Sequence, residues 1–391
     1  MDIKKRVDDL FGELVDIRRD FHKYPELSEE EYRTHEKICE YLQNWGIEYT
    51  KNVAKTGVVA TIRGKKPGNT VGARADIDAL PVEELNNLEF KSVNKGVMHA
   101  CGHDIHTTIH LGVAKILKEM EEDISGNIKI FFQPAEETIG GAKTMIEEGC
   151  LKNPDLDYIL SLHVMPYLDV GEIELKQGKM NAATNEFTIR VSGKSSHAAY
   201  PEQSVDTIVM AGYIITALQS IVSRNVSPLN SVVLTLGKIN GGTKNNIITD
   251  EVIMSGTLRT LDENTREFAK SRIREIVENT AKAYGGEGEV YFEEGYPALI
   301  NNDEVIDVLK DMAEDLLGKD NVKFKEFPSM GADDFSYFLK DVKGAYYNLG
   351  CGNKFEGWTF PIHNGNFMAD EECIKVGVLL QTKALLKLLN I

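Results

Sequence analysis

The chain has no apolar run approaching the roughly 18 uninterrupted residues of a membrane span, and Met1-Asp2-Ile3-Lys4-Lys5-Arg6 opens no apolar leader. The expectation is a protein that neither crosses a bilayer nor carries a secretion signal. Basic charge is short as well. Lys and Arg number 44 against 61 Asp and Glu, for a net charge of −17. Nucleic acid and anionic membranes are disfavoured as partners, because both are bound through excess positive charge. Cysteine is scarce, with five scattered residues at 39, 101, 150, 351 and 373. That excludes a disulfide framework and fits free thiols in a reducing cytoplasm. Nucleotide fingerprints are missing too. Gly193-Lys194-Ser195 has Thr188 where a phosphate loop needs Gly, and no Gly-x-Gly-x-x-Gly follows a strand. Ser92-Val93-Asn94-Lys95 is a serine–lysine spacing without supporting partners.

What is present is apolar residue enough for real cores, 42% of 391 residues, in a chain long enough for two domains. Val7, Leu10, Phe11, Leu14, Val15 and Ile17 recur at helical spacing over residues 4–21. Ser28 and Glu31 read as a capping box opening a second helix that runs to about Gly46. Residues 58–63 read as a strand, 64–69 as a turn, and 71–75 as a buried strand running into Asp76-Ile77-Asp78-Ala79-Leu80-Pro81. A helix follows His103, then a strand at 128–132, a helix at 140–148, and a short strand that ends at His163. Such alternation implies a parallel sheet covered by helices. From about residue 185 the pattern changes to period two, and elements follow in β-α-β-β-α-β order, which is ferredoxin-like. The expected fold is α/β. A mostly parallel-sheet domain in two parts, 1–183 and 295–391, is interrupted by an α+β insert, 184–294.

Chemistry concentrates in Met98-His99-Ala100-Cys101-Gly102-His103-Asp104-Ile105-His106. In extended chain, Cys101 and His103 point the same way, and Gly102 leaves room between them. A thiolate with a neutral imidazole suits zinc or a neighbouring first-row metal. Read alone, the same triplet is a buried thiol beside a histidine. Glu136-Glu137, His163 and His363 supply further ligands, and Cys101/His103, the Glu pair and His163 fall just past strand ends, where open parallel sheets bind ligands. Together they suffice for two cations sharing a water. In extended chain Glu136 and Glu137 point to opposite sides, so one binds metal while the other serves as general base. A solvated helix start behind Pro134 is the plainer reading of that pair. Asp76 either orients a ligand histidine or caps the next turn. His99, His106 and His110 read as supporting or surface residues, and His22 and His35 as surface residues.

Taken together, Arg74-Ala75-Asp76-Ile77-Asp78-Ala79-Leu80-Pro81, Met98 to Asp104, Phe132-Gln133-Pro134-Ala135-Glu136-Glu137, Ser195-Ser196-His197-Ala198-Ala199-Tyr200-Pro201, Gly331-Ala332-Asp333-Asp334-Phe335 and His363-Asn364 stand in one order. The chain resembles the aminoacylase/carboxypeptidase G-like dimetal metallopeptidases. Within them it looks like the amidohydrolase branch of hippurate hydrolases, auxin-conjugate hydrolases and N-acetyldiaminopimelate deacetylases. The resemblance implies two divalent cations (zinc, manganese, cobalt or nickel) on Cys101, His103, Glu137, His163 and His363, with Glu136 as base. It implies that the insert is a lid that also dimerises, giving a homodimer or homotetramer. His197 would then reach the neighbouring subunit's site, and Asn245 and Arg259 would grip a substrate carboxylate. Arg259 paired to a surface acid is the plainer alternative. The implied activity is hydrolysis of N-acyl amino acids, N-acetyl, N-benzoyl or similar, in the cytoplasm. A dipeptidase or carboxypeptidase on the same scaffold is the alternative, and a non-catalytic metal-dependent binding protein is the third reading.

Overall fold

The computed structural model describes residues 1–390. The chain divides into two compact units. The first holds residues 1–180, 300–327 and 334 onward, and the second holds 181–299 with 328–333.

In chain order the first unit begins with helices α1 (Ile3–Lys23) and α2 (Tyr32–Asn44), then strands β1 (Glu48–Val53), β2 (Gly57–Arg63) and β3 (Lys66–Asp76). It continues with α3 (His103–Glu119), β4 (Ser125–Gln133), α4 (Gly141–Glu147), β5 (Tyr158–Asp169), β6 (Ile173–Leu175) and β7 (Gly178–Asn181). The second unit carries β8 (Ala183–Ser192), β9 (Ser196–His197), α5 (Thr207–Ser220), β10 (Val232–Gly241), β11 (Ile247–Ile248), β12 (Glu251–Thr260), α6 (Glu263–Ala283) and β13 (Glu287–Phe292). After β14 (Leu299–Asn301) the first unit resumes with α7 (Asp303–Leu317), β15 (Val322–Phe324), α8 (Phe338–Asp341), β16 (Lys343–Gly352) and α9 (Glu372–Leu388).

Eight strands of the first unit form one sheet in the order β1-β2-β4-β3-β5-β16-β6-β15. Its centre, β4-β3-β5-β16, is parallel throughout. Both faces of these strands are covered, so they read as buried runs such as Val71–Ala75 and Ile128–Phe132, apolar but for Arg74 and Lys129. α1, α3 and α9 pack together against this sheet, and Leu14, Ile109 and Val378 belong to the resulting core.

Three local readings need correction. Ser28 does not cap α2, because its hydroxyl donates to Asp78 at 2.7 Å. Glu31 sits at the N-cap position instead, without a side-chain cap, and spends its carboxylate on Ala135 N and the Thr56 hydroxyl. β3 begins inside the expected turn at Lys66, across a register slip between Lys66 and Thr70. β5 does not end at His163 but runs on to Asp169. β1 was not legible in the sequence, since Glu48-Tyr49-Thr50-Lys51-Asn52-Val53 is a polar edge strand with one buried residue.

The second unit has a four-stranded antiparallel sheet, β10-β12-β8-β13. This strand order is that of the ferredoxin-like pattern. Phe187, Ile189 and Val191 alternate inward along β8 and pack with Met210, Ile214, Ala269, Ile273 and Val277 of α5 and α6. Asp206 caps α5 and Asp262 caps α6 through their carboxylates. Among the described residues, Thr207–Asn225 is the one helix long and apolar enough to cross a bilayer by length and composition, and Met210, Ile214, Leu218 and Ile221 on it are buried against the sheet. Pro328–Asp333 joins this unit through Ala182 N to Gly331 O at 2.9 Å.

Candidate metal centre

The site grows from the carboxyl ends of β3 and β4 and the start of α3. Gly102 stands at the N-cap of α3 with φ 85°, so Cys101 and His103 converge through a left-handed turn and not through extended chain. A Cβ there would meet Val164 Cγ2 at 2.3 Å, so the glycine makes room for Val164. The Glu pair is aimed in the same way. Ala135 has φ 56°, outside any strand, and Glu136 and Glu137 follow it in a turn, not in extended chain, with both carboxylates reaching the group that holds His103. Left-handed non-glycine residues at such loops are strained and persist only when neighbours hold them. Glu31 accepts from Ala135 N at 2.9 Å and does that holding. His363 is a second such residue, with φ 63° and its N–H on Ala100 O at 2.8 Å.

The side chains named from sequence fall into two sets. In the first unit, Cys101, His103 and His163 place ligand atoms within 4.8 Å of one another, as do Cys101, Glu137 and His363, and His103, Glu136 and Glu137. Cys101 Sγ lies 3.3 Å from His163 Nε2 and 3.3 Å from His363 Nε2. His363 Nε2 is 3.2 Å from Glu137 Oε1. His163 lies within β5, just beyond the last residue pair that joins β5 to β3, which leaves its ring at the carboxyl edge of β3.

Asp78 organises this set, and the sequence reading gave it no role. Its Oδ1 meets His103 Nδ1 at 3.2 Å, and its Oδ2 accepts from Glu137 N at 3.0 Å and from Ser28. The clue was its spacing: Asp76 and Asp78 are two apart at the end of a strand. Asp76 is bonded instead to Arg74 and to His106 Nδ1, both at 2.6 Å, with His103 Nε2 at 3.7 Å. It therefore does not orient a ligand histidine directly. His99, His106 and His110 are all buried, not at the surface. His22 is likewise 1% exposed, and it joins Arg18, Glu84 and Asp104 in an ionic cluster beneath the first turn of α3. His35 is half-buried on Thr56 O.

The residues fit a cation. His103 Nε2 is buried without a hydrogen-bond partner, 3.9 Å from Glu137 Oε1, which itself lies 3.2 Å from His363 Nε2, and all three belong to the converging groups. A buried unpartnered acceptor costs free energy unless something fills its place. Burial alone would lower the His103 imidazole, yet Asp76, Asp78 and Glu137 outweigh it and lift it to about 10. Burial, with Glu137, Glu136 and Asp76, pushes the Cys101 thiol well above its ordinary value. Burial is the larger cause for the thiol and opposes the shift of the imidazole, but the buried carboxylates raise both, so the pocket draws positive charge. Burial lowers His163 to about 4, which keeps it neutral with a lone pair to give.

The second unit holds the other named residues. His197 is exposed on β9, pairs with Ile247 and accepts from Ala199 N at 3.1 Å. Asn245 is exposed in the adjoining loop before β11. Arg259 lies mid-sheet opposite Thr184 at the start of β8. From Thr184 to Ser192 that strand rises roughly 26 Å, at about 3.3 Å per residue, so Arg259 lies at the opposite end of β8 from Ser192, after which the chain enters the separate β9–β11 pair that holds His197.

A parallel sheet that carries histidine, thiol and carboxylate ligands, with a spare glutamate beside them, is the make-up of a metal-dependent hydrolase. The chain belongs to Peptidase family M20/M25/M40, whose model matches residues 72–387. Thermostable carboxypeptidase 1 of Saccharolobus solfataricus is 41% identical over 99% of this chain and 98% of its own. N-acetyl-L-cysteine deacetylase of Bacillus subtilis is 41% identical over 93% and 85%. Hippurate hydrolase of Campylobacter jejuni is 37% identical over the whole of both. Among solved structures, a dinuclear metal binding peptidase of Bacillus subtilis superposes with a TM-score of 0.86 at 31% identity, covering 98% of this chain and 99% of the other. The protein is an enzyme, a hydrolase of amide bonds.

Proposed function

We propose that the chain hydrolyses the amide of N-acyl amino acids, releasing a carboxylate and a free amino acid. Cys101, His103, Glu137, His163 and His363 would hold two divalent cations, with the Cys101 sulfur common to both groups. Bound there, the cations would supply Lewis acidity for the acyl oxygen and the attacking water. The observation that carries this reading is the buried His103 Nε2, without a hydrogen-bond partner among the converging atoms of Cys101, Glu137, His163 and His363, beside Glu136.

Glu136 is the proton carrier in this reading. Its carboxylate takes a proton from the water whose oxygen attacks the acyl carbon. As the C–N bond breaks, the same group passes that proton to the leaving nitrogen. At 9% exposure Glu136 is largely shielded from solvent. Asp78 holds His103 and the Glu137 backbone together, so one carboxylate fixes two ligand-bearing segments.

His197 would serve the site of a partner subunit in a homodimer or homotetramer, steadying the developing oxyanion. The separation of His197 from Arg259 supports this. If both touch one substrate, two copies of the chain must contribute them. Asn245 and Arg259 would hold the substrate carboxylate.

Hydrolysis of peptides from the C-terminal end is the second reading, favoured by the identity to a carboxypeptidase over the whole chain. A panel of N-acetyl and N-benzoyl amino acids against dipeptides separates the two. It is run on chelator-stripped protein with zinc, manganese, cobalt or nickel restored in turn. The proposal expects N-acyl amino acids to be cleaved at least tenfold faster in kcat/KM. A preference for dipeptides under every metal overturns it.

A further inference from the structure

We propose that Arg74, Asp76 and His106 form a positioning relay that sets the tautomer and aim of His163 through the backbone of Val164. The inference rests on the reading of His163 as a metal ligand, and concerns residues that reading leaves without a task.

The direction of each bond follows from groups that have no choice. A peptide N–H only donates, so His106 Nε2, 2.9 Å from Val164 N, accepts. The ring proton of neutral His106 is then on Nδ1, which faces Asp76 Oδ1 at 2.6 Å. The other Asp76 oxygen takes Arg74 Nη1 at 2.6 Å. Arg74 is itself fixed, with Nε on Gln133 at 2.8 Å and Nη2 on Asp334 at 2.6 Å. Gln133 and Ala142 N also bond Asp334, so the guanidinium is braced from β4 and α4.

On the other side of the Val164 Cα the logic repeats. A carbonyl only accepts, so His163 Nδ1, 2.8 Å from Val164 O, carries the proton. His163 Nε2 is left with its lone pair facing Cys101 Sγ at 3.3 Å. The backbone of Val164 is thus held by an imidazole on each side, His106 at its N–H and His163 at its C=O, which belong to adjacent peptide groups. Its side chain also lies where a Cβ on residue 102 would collide, at 2.3 Å. One backbone position therefore sets the ring of His163 and touches the turn between Cys101 and His103. Every member from Arg74 to His163 is buried. Partners that stand behind a ligand histidine fix its tautomer and its orientation.

The test uses ¹⁵N-histidine labelling of the unaltered, chelator-stripped protein, with long-range ring correlations reporting tautomers. His163 is expected as the Nδ1–H form and His106 likewise. His163 with its proton on Nε2 would overturn the relay whatever any variant does. Two variants then separate positioning from bulk packing. H106N keeps an N–H toward Asp76 and loses the acceptor for Val164. H106Q puts a carbonyl oxygen near the Nε2 position. H106N is expected to mix His163 tautomers and weaken affinity for Zn²⁺ about 10- to 100-fold, with H106Q recovering most of the loss. Unchanged His163 tautomer and affinity in H106N would sink the proposal. So would loss of metal in D76N with none in H106N, since Asp76 would then act by direct contact. A shifted tautomer with unchanged affinity keeps the relay and removes His163 from the ligand set, which is failure of the parent reading alone.

Discussion

The two units treat their polar residues in opposite ways. In the first, side chains from five separate segments, at 76–78, 101–103, 136–137, 163 and 363, converge within hydrogen-bonding reach, and most are buried. Each is held by a named neighbour, such as Asp78 behind His103 and Glu31 behind the Ala135 turn. In the second, His197 and Asn245 lie exposed on a small two-stranded ribbon, and Arg259 sits half-exposed near the other end of the sheet. The first arrangement is prebuilt, since burying that many charges is tolerable only when they are paired or serve a cation. The second is unfinished within its own unit. On the proposed function, His197, Asn245 and Arg259 would act only against a partner surface, whereas the converging residues of the first unit are already held in place.

The largest expected effect tests the prebuilt side. Glu136→Gln removes the proton carrier without touching a ligand, and kcat should fall about 10²- to 10⁴-fold. Metal content by elemental analysis should stay at the wild-type value. Retained turnover would remove Glu136 from its role, and lost metal would make it a ligand.

A second experiment probes the support beneath the site. Burial alone would raise the Asp104 carboxyl, yet Arg18 and His22 hold it below the ordinary carboxylate range. Asp104 therefore contributes stability that is present above its unfolded value near 3.9 and lost as pH falls through the lower folded value. For His22, burial and Arg18 lower the imidazole, but Asp104 and Glu84 outweigh them and raise it. Its contribution is complete below about 6.5 and fades as pH rises through the folded value. Asp104→Asn should cost about 3–5 kcal/mol at neutral pH, because it leaves Arg18 under-compensated in the interior. Chemical denaturation across pH 3–9 should show the gap between variant and wild type beginning to narrow below about pH 4. Coincident curves would mean that Asp104 carries no net stability.

The third experiment addresses the unfinished side. His197→Ala should lower kcat about 10²- to 10³-fold, as removal of an oxyanion donor does, with metal content and fold unchanged. If His197 of the partner subunit completes the site, co-expressed H197A and E136Q chains should regain roughly a quarter of wild-type activity, the share expected for statistical two-fold dimers. No recovery would assign His197 to its own chain.

Much of this was legible in the sequence where one periodicity spoke for one element. The period-two pattern from about residue 185, carried by Phe187, Ile189 and Val191, disclosed the first strand of the second unit. The converging residues were legible because thiol, imidazole and paired carboxylates are uncommon neighbours at strand ends. Their aim was not. Extended-chain geometry predicts that Glu136 and Glu137 diverge, and the chain at 136–139 is a turn instead. Buried charge was the least legible of all. His22, Arg18, Glu84 and Asp104 look like surface residues one at a time, and only the fold brings them together from segments far apart in the chain. Ser28 misled for a related reason: its hydroxyl had a buried carboxylate to bond, and that outweighed capping a helix.

The most direct measurement is a Co²⁺ titration of chelator-stripped protein, following the thiolate-to-cobalt charge-transfer absorption. The account predicts saturation at two equivalents per chain, with the charge-transfer band present in the wild type and absent in Cys101→Ser. Saturation without that band, or a band that survives the substitution, would contradict it.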